Sequence, residues 1–254
     1  MAAPQPGQRA GSVRSFIDLH CHTSSSFDCL AQPADVVKAA ADRGLTHLVI
    51  TDHDRIDGAL AVRDRAPSGL TVIVGEEIRT ADGDLIAAFL ERAIAPGGAA
   101  VDTIAAIREQ GGLVGIPHPF DARRGSLLND ARMTALIPLV DWVEVHNARV
   151  VGSGNEQATA FAREHGLAGV AVSDAHSVLE VGVAYTAIDG DPSTPAGLLA
   201  ALSTAELVHG RASFAVRLLT PIAKIIQWTR GNGRVRPDPP RRPGGGPGGP
   251  VDTS

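Results

Sequence analysis

The chain is poor in cysteine: Cys21 and Cys29 stand alone in 254 residues. Two cysteines exclude a disulfide framework and read as small buried residues near a site rather than as ligands. No apolar run approaches the roughly 18–20 residues of a membrane span. The N-terminus lacks the apolar core of a signal peptide. Together these absences point to a reducing cytoplasm, with no membrane partner. Basic charge is not in excess either, with 23 Lys and Arg against 28 Asp and Glu. No global positive field recommends a long duplex nucleic acid as partner. A small phosphate ester or a short nucleic-acid end stays open, because a metal site brings its own positive charge. A Ser-His-Asp triad and a nucleophile elbow are also missing. The glycine pairs Gly97-Gly98 and Gly111-Gly112 lack a phosphate-loop pattern.

What is present is one α/β domain between two polar ends. Residues 1–14 read as a mobile leader, 15–230 as the domain, and 231–254 as a disordered Arg/Pro/Gly tail that cannot bury apolar surface. Short apolar runs suit strands at 16–19, 48–51, 72–75, 85–90, 113–116, 142–145, 169–172 and, more weakly, 183–188. Continuous runs of this kind suit parallel strands buried on both faces. Helical patterns fall at 33–43, 59–65, 102–110, 129–136, 155–165 and 195–202. Repeated βα units imply a doubly wound sheet or a barrel. Residues 214–228 form a last amphipathic pattern. They are expected to pack on the barrel or close one end, since three basic residues make a thin face for lipid.

The chemistry sits just after the strands. There the chain reads Asp18-Leu19-His20-Cys21-His22, Thr51-Asp52-His53-Asp54, Gly75-Glu76-Glu77, Pro117-His118-Pro119, Glu144-Val145-His146-Asn147 and Ser173-Asp174-Ala175-His176. In α/β barrels the active site lies at that end of the strands. Six histidines, His20, His22, His53, His118, His146 and His176, are thus expected at one mouth. His47 begins a strand at the opposite end and reads as structural; His165 and His209 lie elsewhere. His-x-His on a strand puts two imidazoles on one face, because side chains alternate. Asp174 and His176 repeat that spacing. Mixed imidazole and carboxylate donors suit Zn, Mn or Fe and argue against calcium. Taken singly, each motif is equally well a turn, a cap or a core ion pair; their joint placement is the signal.

In the order of these motifs the chain resembles the PHP (polymerase and histidinol phosphatase) family over about residues 15–186. The resemblance implies a distorted, TIM-like (β/α)7 barrel with a centre of two or three divalent metals. It also implies metal-dependent hydrolysis of phosphate esters: small phosphomonoesters, nucleotides or oligonucleotide 5′ ends. By motif, His20, His22, Glu77 and Asp174 would hold one ion, and Asp28, His53 and His176 another. Glu77 fits the family's Gly-x-Glu spacing, with Glu76 the alternative. His118 and the bridging Glu77 would share a middle ion. The family's further histidine is absent between Ala81 and Phe89, so that site is missing, weak, or completed by Asp84 or His146. Histidinol phosphate is accordingly less favoured as substrate.

Four further residues complete the expectation. Arg124 and Arg149 follow strand ends and suit bidentate phosphate contacts, with solvated surface arginines as the plain alternative. Asp52 is expected to orient a ligand imidazole and Asp54 to shuttle a proton. Two rivals stand beside this reading. An amidohydrolase-like enzyme usually needs a lysine at a middle strand end, and only Lys38 and Lys224 exist, neither so placed. A non-catalytic metal-binding PHP module is the other.

Overall fold

The structure is a computed structural model, and it describes residues 13–121, 124 and 135–237. Its elements run β1 (Arg14–Cys21), α1 (Pro33–Asp42), β2 (His47–Ile50), α2 (Asp57–Arg63), β3 (Thr71–Arg79), β4 (Asp84–Ala88), α3 (Ala100–Glu109) and β5 (Leu113–Ile116). Then follow β6 (Trp142–Asn147), α4 (Gly154–His165), β7 (Ala168–Val172), β8 (Tyr185–Asp189), α5 (Pro195–Leu202), β9 (Glu206–Val208), α6 (Phe214–Arg217) and α7 (Leu219–Thr229). Helix ends follow local chemistry. Pro33 opens α1, and Gly166 ends α4 in the left-handed conformation at φ 66°.

The strands form one sheet in the order β7-β6-β5-β4-β3-β2-β1-β8-β9. The segment after β7 returns to β1: Asp174 N–H donates to His20 O and His22 N–H to Ala175 O, both at 2.9 Å. The sheet thereby nearly closes into a distorted barrel. Asp18 reinforces the closure, its carboxylate accepting the N–H groups of Ser173 and Gly182. One apolar cluster, with Ile17, Val49, Ile73, Ile86, Trp142 and Val170, gathers strand residues and Leu198 of α5. A second joins Leu48, Ile50 and Val114 to Val36 of α1, Val62 of α2 and Ile107 of α3.

Three expectations change. β4 is antiparallel to both neighbours, β8 to β1, and β9 to β8, so the repeat is not uniformly βα. The turn at 80–83, closed by Thr80 N–H to Gly83 O at 3.0 Å, is too short for a crossover helix. The last helical pattern breaks into α6 and α7. Leu218, Leu219, Ile222, Ile225 and Trp228 face solvent, while Ala223 and Gln227 are buried. Gln227 anchors the helix by donating to the carbonyls of Ser24, Ser26 and Cys29. Finally, residues 231–237 lie against the barrel mouth and Arg14 already belongs to β1. The rest of the leader and tail, and nearly all of the helix expected at 129–136, lie outside the described residues.

Gly115 of β5 shows how tightly the barrel interior is filled. A Cβ there would overlap the indole of Trp142, a fully buried side chain. Gly115→Ala is expected to destabilise the fold by about 1–3 kcal/mol, read as a lower urea midpoint at unchanged m-value. An unchanged midpoint would show that the interior has room to give.

Candidate metal centre

β1 and the residue that follows it carry His20 and His22 into the barrel, both fully buried, beside Glu77 of β3 and Asp174 after β7. His20 Nε2 lies 2.9 Å from His22 Nε2. Glu77 Oε2 is 3.3 Å from the first and 3.4 Å from the second. Asp174 Oδ1 is 3.6 and 3.5 Å from the same two atoms. A tetrahedral ion with ligands at about 2.0–2.1 Å sets its donors roughly 3.4 Å apart. The four donors therefore have the spacing of one ligand cage. Asp174 Oδ1 is buried and makes no hydrogen bond, as expected of an oxygen reserved for a cation.

A second group forms around Asp28, whose Oδ2 is 3.4 Å from His53 Nε2 and 3.4 Å from His176 Nε2. His22, His53 and His176 offer donors within 4.8 Å of one another. Glu77, Asp84 and His118 make a third group of that size, with Glu77 Oε1 3.0 Å from His118 Nε2. The donor chemistry of all three groups fits divalent ions of the Zn, Mn or Fe kind.

Neighbouring groups fix which nitrogen faces the centre. His20 Nδ1 donates to Glu144 Oε1 at 2.6 Å, and His176 Nδ1 donates to the Asp174 carbonyl at 2.9 Å. Each leaves Nε2 facing inward, free to serve as a donor to a metal ion. Glu144 also accepts the His118 N–H at 2.7 Å, and Asn147 donates to both Glu144 and Asp174. Asp54, His118 and Asp174 hold positive φ of 57°, 27° and 52°. Non-glycine residues in that region carry strain of about 1–3 kcal/mol each, a cost that clusters at functional sites.

Neighbouring charges set the ionisation of the cluster. Burial disfavours charge on Glu77, Asp28 and Asp174. Facing histidines, and Arg124 for Asp174, nonetheless hold all three well below the usual carboxylate range. Burial also opposes protonation of His53, but Glu77 and Asp28 lift it to about 9. His20 is raised well above its ordinary value by Glu144, Asp174 and Glu77, against its burial. His22 drops to about 3 through burial and the neighbouring histidines. One proton at most fits between the facing Nε2 atoms of His20 and His22, and His20 takes it.

The structure thus brings together His20, His22, Asp28, His53, Glu77, Asp84, His118, Asp174 and His176. Glu76 is not among them: its Oε2 accepts the Ile94 N–H, and burial pushes its carboxyl up to about 8. His146 does not join the centre either. A register shift between Glu144 and His146 turns it into a separate cavity, where it stacks on His209 at 4.3 Å and meets Gly210 O. Both oxygens of Asp52 are taken by Thr23, so the imidazole-orienting part expected of Asp52 falls to Glu144. Asp54 accepts the Arg79 N–H and faces Arg234, which leaves it an anchor rather than a proton carrier. Arg124 pairs with Asp174, and Arg149 with Glu180 and Thr220; both line the mouth. Lys224, read from sequence as off any strand end, stands at the mouth too, 4.0 Å from Asp28. Sequence reasoning gave no role to Asn147, Phe27 or Arg234. Asn147 was legible in the Glu-Val-His-Asn segment; Arg234, in a low-complexity stretch, had no signal. Among the described residues no helix is long and apolar enough to cross a membrane.

Fold and site together define a barrel protein with a buried imidazole–carboxylate centre at the C-terminal ends of its strands. The chain belongs to the PHP family: the PHP domain model matches residues 18–134 and the PHP-associated model residues 152–207. An uncharacterised protein of Methanocaldococcus jannaschii is 32% identical over 173 residues, covering 66% of this chain and 68% of the relative. Among solved structures, a two-domain protein of Bacteroides vulgatus containing a predicted PHP-like metal-dependent phosphoesterase superposes with TM-score 0.68 at 20% identity. That match covers 81% of this chain and 68% of the other. An endonuclease Q, solved with a duplex substrate bearing an abasic lesion at the active site, gives TM-score 0.59 at 16% identity. Here 75% of this chain matches 57% of that one.

Proposed function

We propose that the chain is a metal-dependent phosphoesterase with two or three divalent ions (Mn, Zn or Fe) in the centre. The observation that carries this is the cage of His20, His22, Glu77 and Asp174, with donors 2.9–3.6 Å apart and one carboxylate oxygen, Asp174 Oδ1, making no hydrogen bond. Ions bound there supply charge for phosphoryl oxygens and bring the pKa of water near neutrality. The protein's part is orientation. Glu144 holds His20 with Nε2 inward, Asn147 holds Asp174, and the low pKa of His22 keeps its imidazole neutral. Phe27 and four cationic side chains line a mouth of about 240 Å³. That volume suits a phosphate with a small leaving group, or the end of an oligonucleotide. Both free cysteines are buried, in keeping with a reducing, cytoplasmic setting.

The test is phosphate release by manganese- or zinc-loaded protein. The substrates are p-nitrophenyl phosphate, nucleoside mono- and bisphosphates, histidinol phosphate, and oligonucleotides with a 5′-phosphate or an abasic lesion. Asp174→Asn is the blank and is expected to lose at least about 100-fold in rate. Hydrolysis of any member that disappears in the blank and on chelation supports the reading and separates phosphatase from nuclease. Silence across the panel with metal bound favours the non-catalytic module.

A further inference from the structure

The segment 231–237 crosses the mouth and is pinned on either side of Arg234. Before it, Asn232 accepts from Arg55 Nη1 at 2.6 Å and donates to the Ser24 and Ser25 carbonyls at 3.2 and 3.1 Å. After it, Arg79 Nη2 donates to Val235 O at 2.8 Å. Between these anchors the Arg234 side chain turns into the cavity that holds Glu77, His53 and His118. Its Nε is 3.4 Å from Asp54 Oδ2, and its guanidinium carbon lies 5.4 Å from the centre of the Phe27 ring. Nη2 is buried, 3.5 Å from Asp84 Oδ1, and makes no hydrogen bond.

The other cations of the mouth are differently placed. Arg149 has both Nη groups engaged, at 2.8 Å to Glu180 and 2.7 Å to Thr220. Arg124 is paired with the ligand carboxylate of Asp174. Lys224 is half exposed and reaches no closer than 4.0 Å to Asp28. Only Arg234, of these four, has a buried terminal nitrogen that lines the cavity, near the Asp84 carboxylate, and makes no hydrogen bond. A guanidinium held by its Nε edge and against an aromatic face presents a planar fork, which matches two oxygens of a phosphate.

We propose that Arg234 is a substrate-binding residue that grips the phosphate group of the ester, and that the segment 231–237 is a strap that installs it. The site is then incomplete without the C-terminal segment, although the barrel supplies every expected metal ligand. The assignment rests on the phosphoesterase reading only in taking phosphate as the ligand.

The experiment titrates inorganic phosphate into full-length, manganese-loaded protein, with metal content measured in parallel. Wild type is expected to bind phosphate. Arg234→Gln should weaken binding at least about ten-fold, the scale of a hydrogen bond to a charged group. Arg234→Lys should recover part of the loss, keeping the charge but not the fork. Arg236→Gln, two residues on, should bind as wild type does. Metal content should be equal in all four. Unchanged binding by Arg234→Gln would overturn the assignment. So would loss of metal in that variant, equal weakening by Arg236→Gln, or a wild type that binds no phosphate. A wild type that binds phosphate through Arg234 yet hydrolyses no ester would keep this assignment and remove the catalytic reading.

Discussion

Glu77→Gln should abolish both the metal response and hydrolysis, the largest effect of any single substitution in the barrel. Glu77 is 2% exposed and touches an imidazole of every donor group: His20 and His22 in the first, His53 in the second, His118 in the third. Glutamine keeps the shape and removes the charge. Ligand affinity should fall by more than about 100-fold, beyond what loss of an outer partner costs. The metal-free protein should lose about 3–5 kcal/mol as well, because His20 and His53 would keep buried positive charge without their shared partner. Melting curves with and without manganese read both effects. A full manganese-induced rise in melting temperature in Glu77→Gln would show that the centre does not depend on this carboxylate.

The second large effect is a pH dependence that is strongest in the metal-free protein. His53 binds its proton with a pKa of about 9 in the folded chain, against roughly 6.5 when unfolded. A raised pKa means that the folded state holds the proton more tightly. The resulting stability is complete below about pH 6.5 and is lost as pH climbs through about 9, a change on the order of 3 kcal/mol. Glu76, buried and raised to about 8, acts in the same direction. His22 acts oppositely but only below about 6.5, where its depressed pKa costs stability as the unfolded chain gains a proton. Metal-free protein should therefore weaken between pH 6.5 and 9 in urea titrations. Manganese-loaded protein should weaken less, keeping only the Glu76 share, since the ions replace the protons that balance Glu77, Asp28 and Asp174. Equal stability of the metal-free protein at both pH values would contradict the charge balance described for the centre.

Much of the side-chain cluster was legible because its members come in local motifs. His-x-His, Asp-x-His and the short strand-end motifs each fall within a few residues, and strand ends are visible from apolar runs. Three kinds of feature were not. Strand direction leaves no mark on a short buried run, so antiparallel β4 and β8 read the same as their parallel neighbours. Register depends on irregularities that alternation cannot anticipate. The shift in β6 sends His146 away while Glu144 stays on His20. Long-range delivery was hidden as well. Arg234 sits in a stretch that composition assigns to a tail, and its place at the mouth depends on contacts with Ser24, Ser25, Arg55 and Arg79. The partners of Asp52 and Asp54 follow the same rule: their neighbours in space, Thr23 and Arg234, come from other elements.

The buried imidazoles and carboxylates at the barrel mouth are expected to hold divalent ions. Metal analysis of manganese-loaded, dialysed protein tests this most directly, with wild type and Glu77→Gln measured side by side. Wild type is expected to hold two or three ions per chain, removed by chelation, and Glu77→Gln fewer than one. Wild type that retains no ion after dialysis, or a Glu77→Gln protein that retains the full complement, would contradict this.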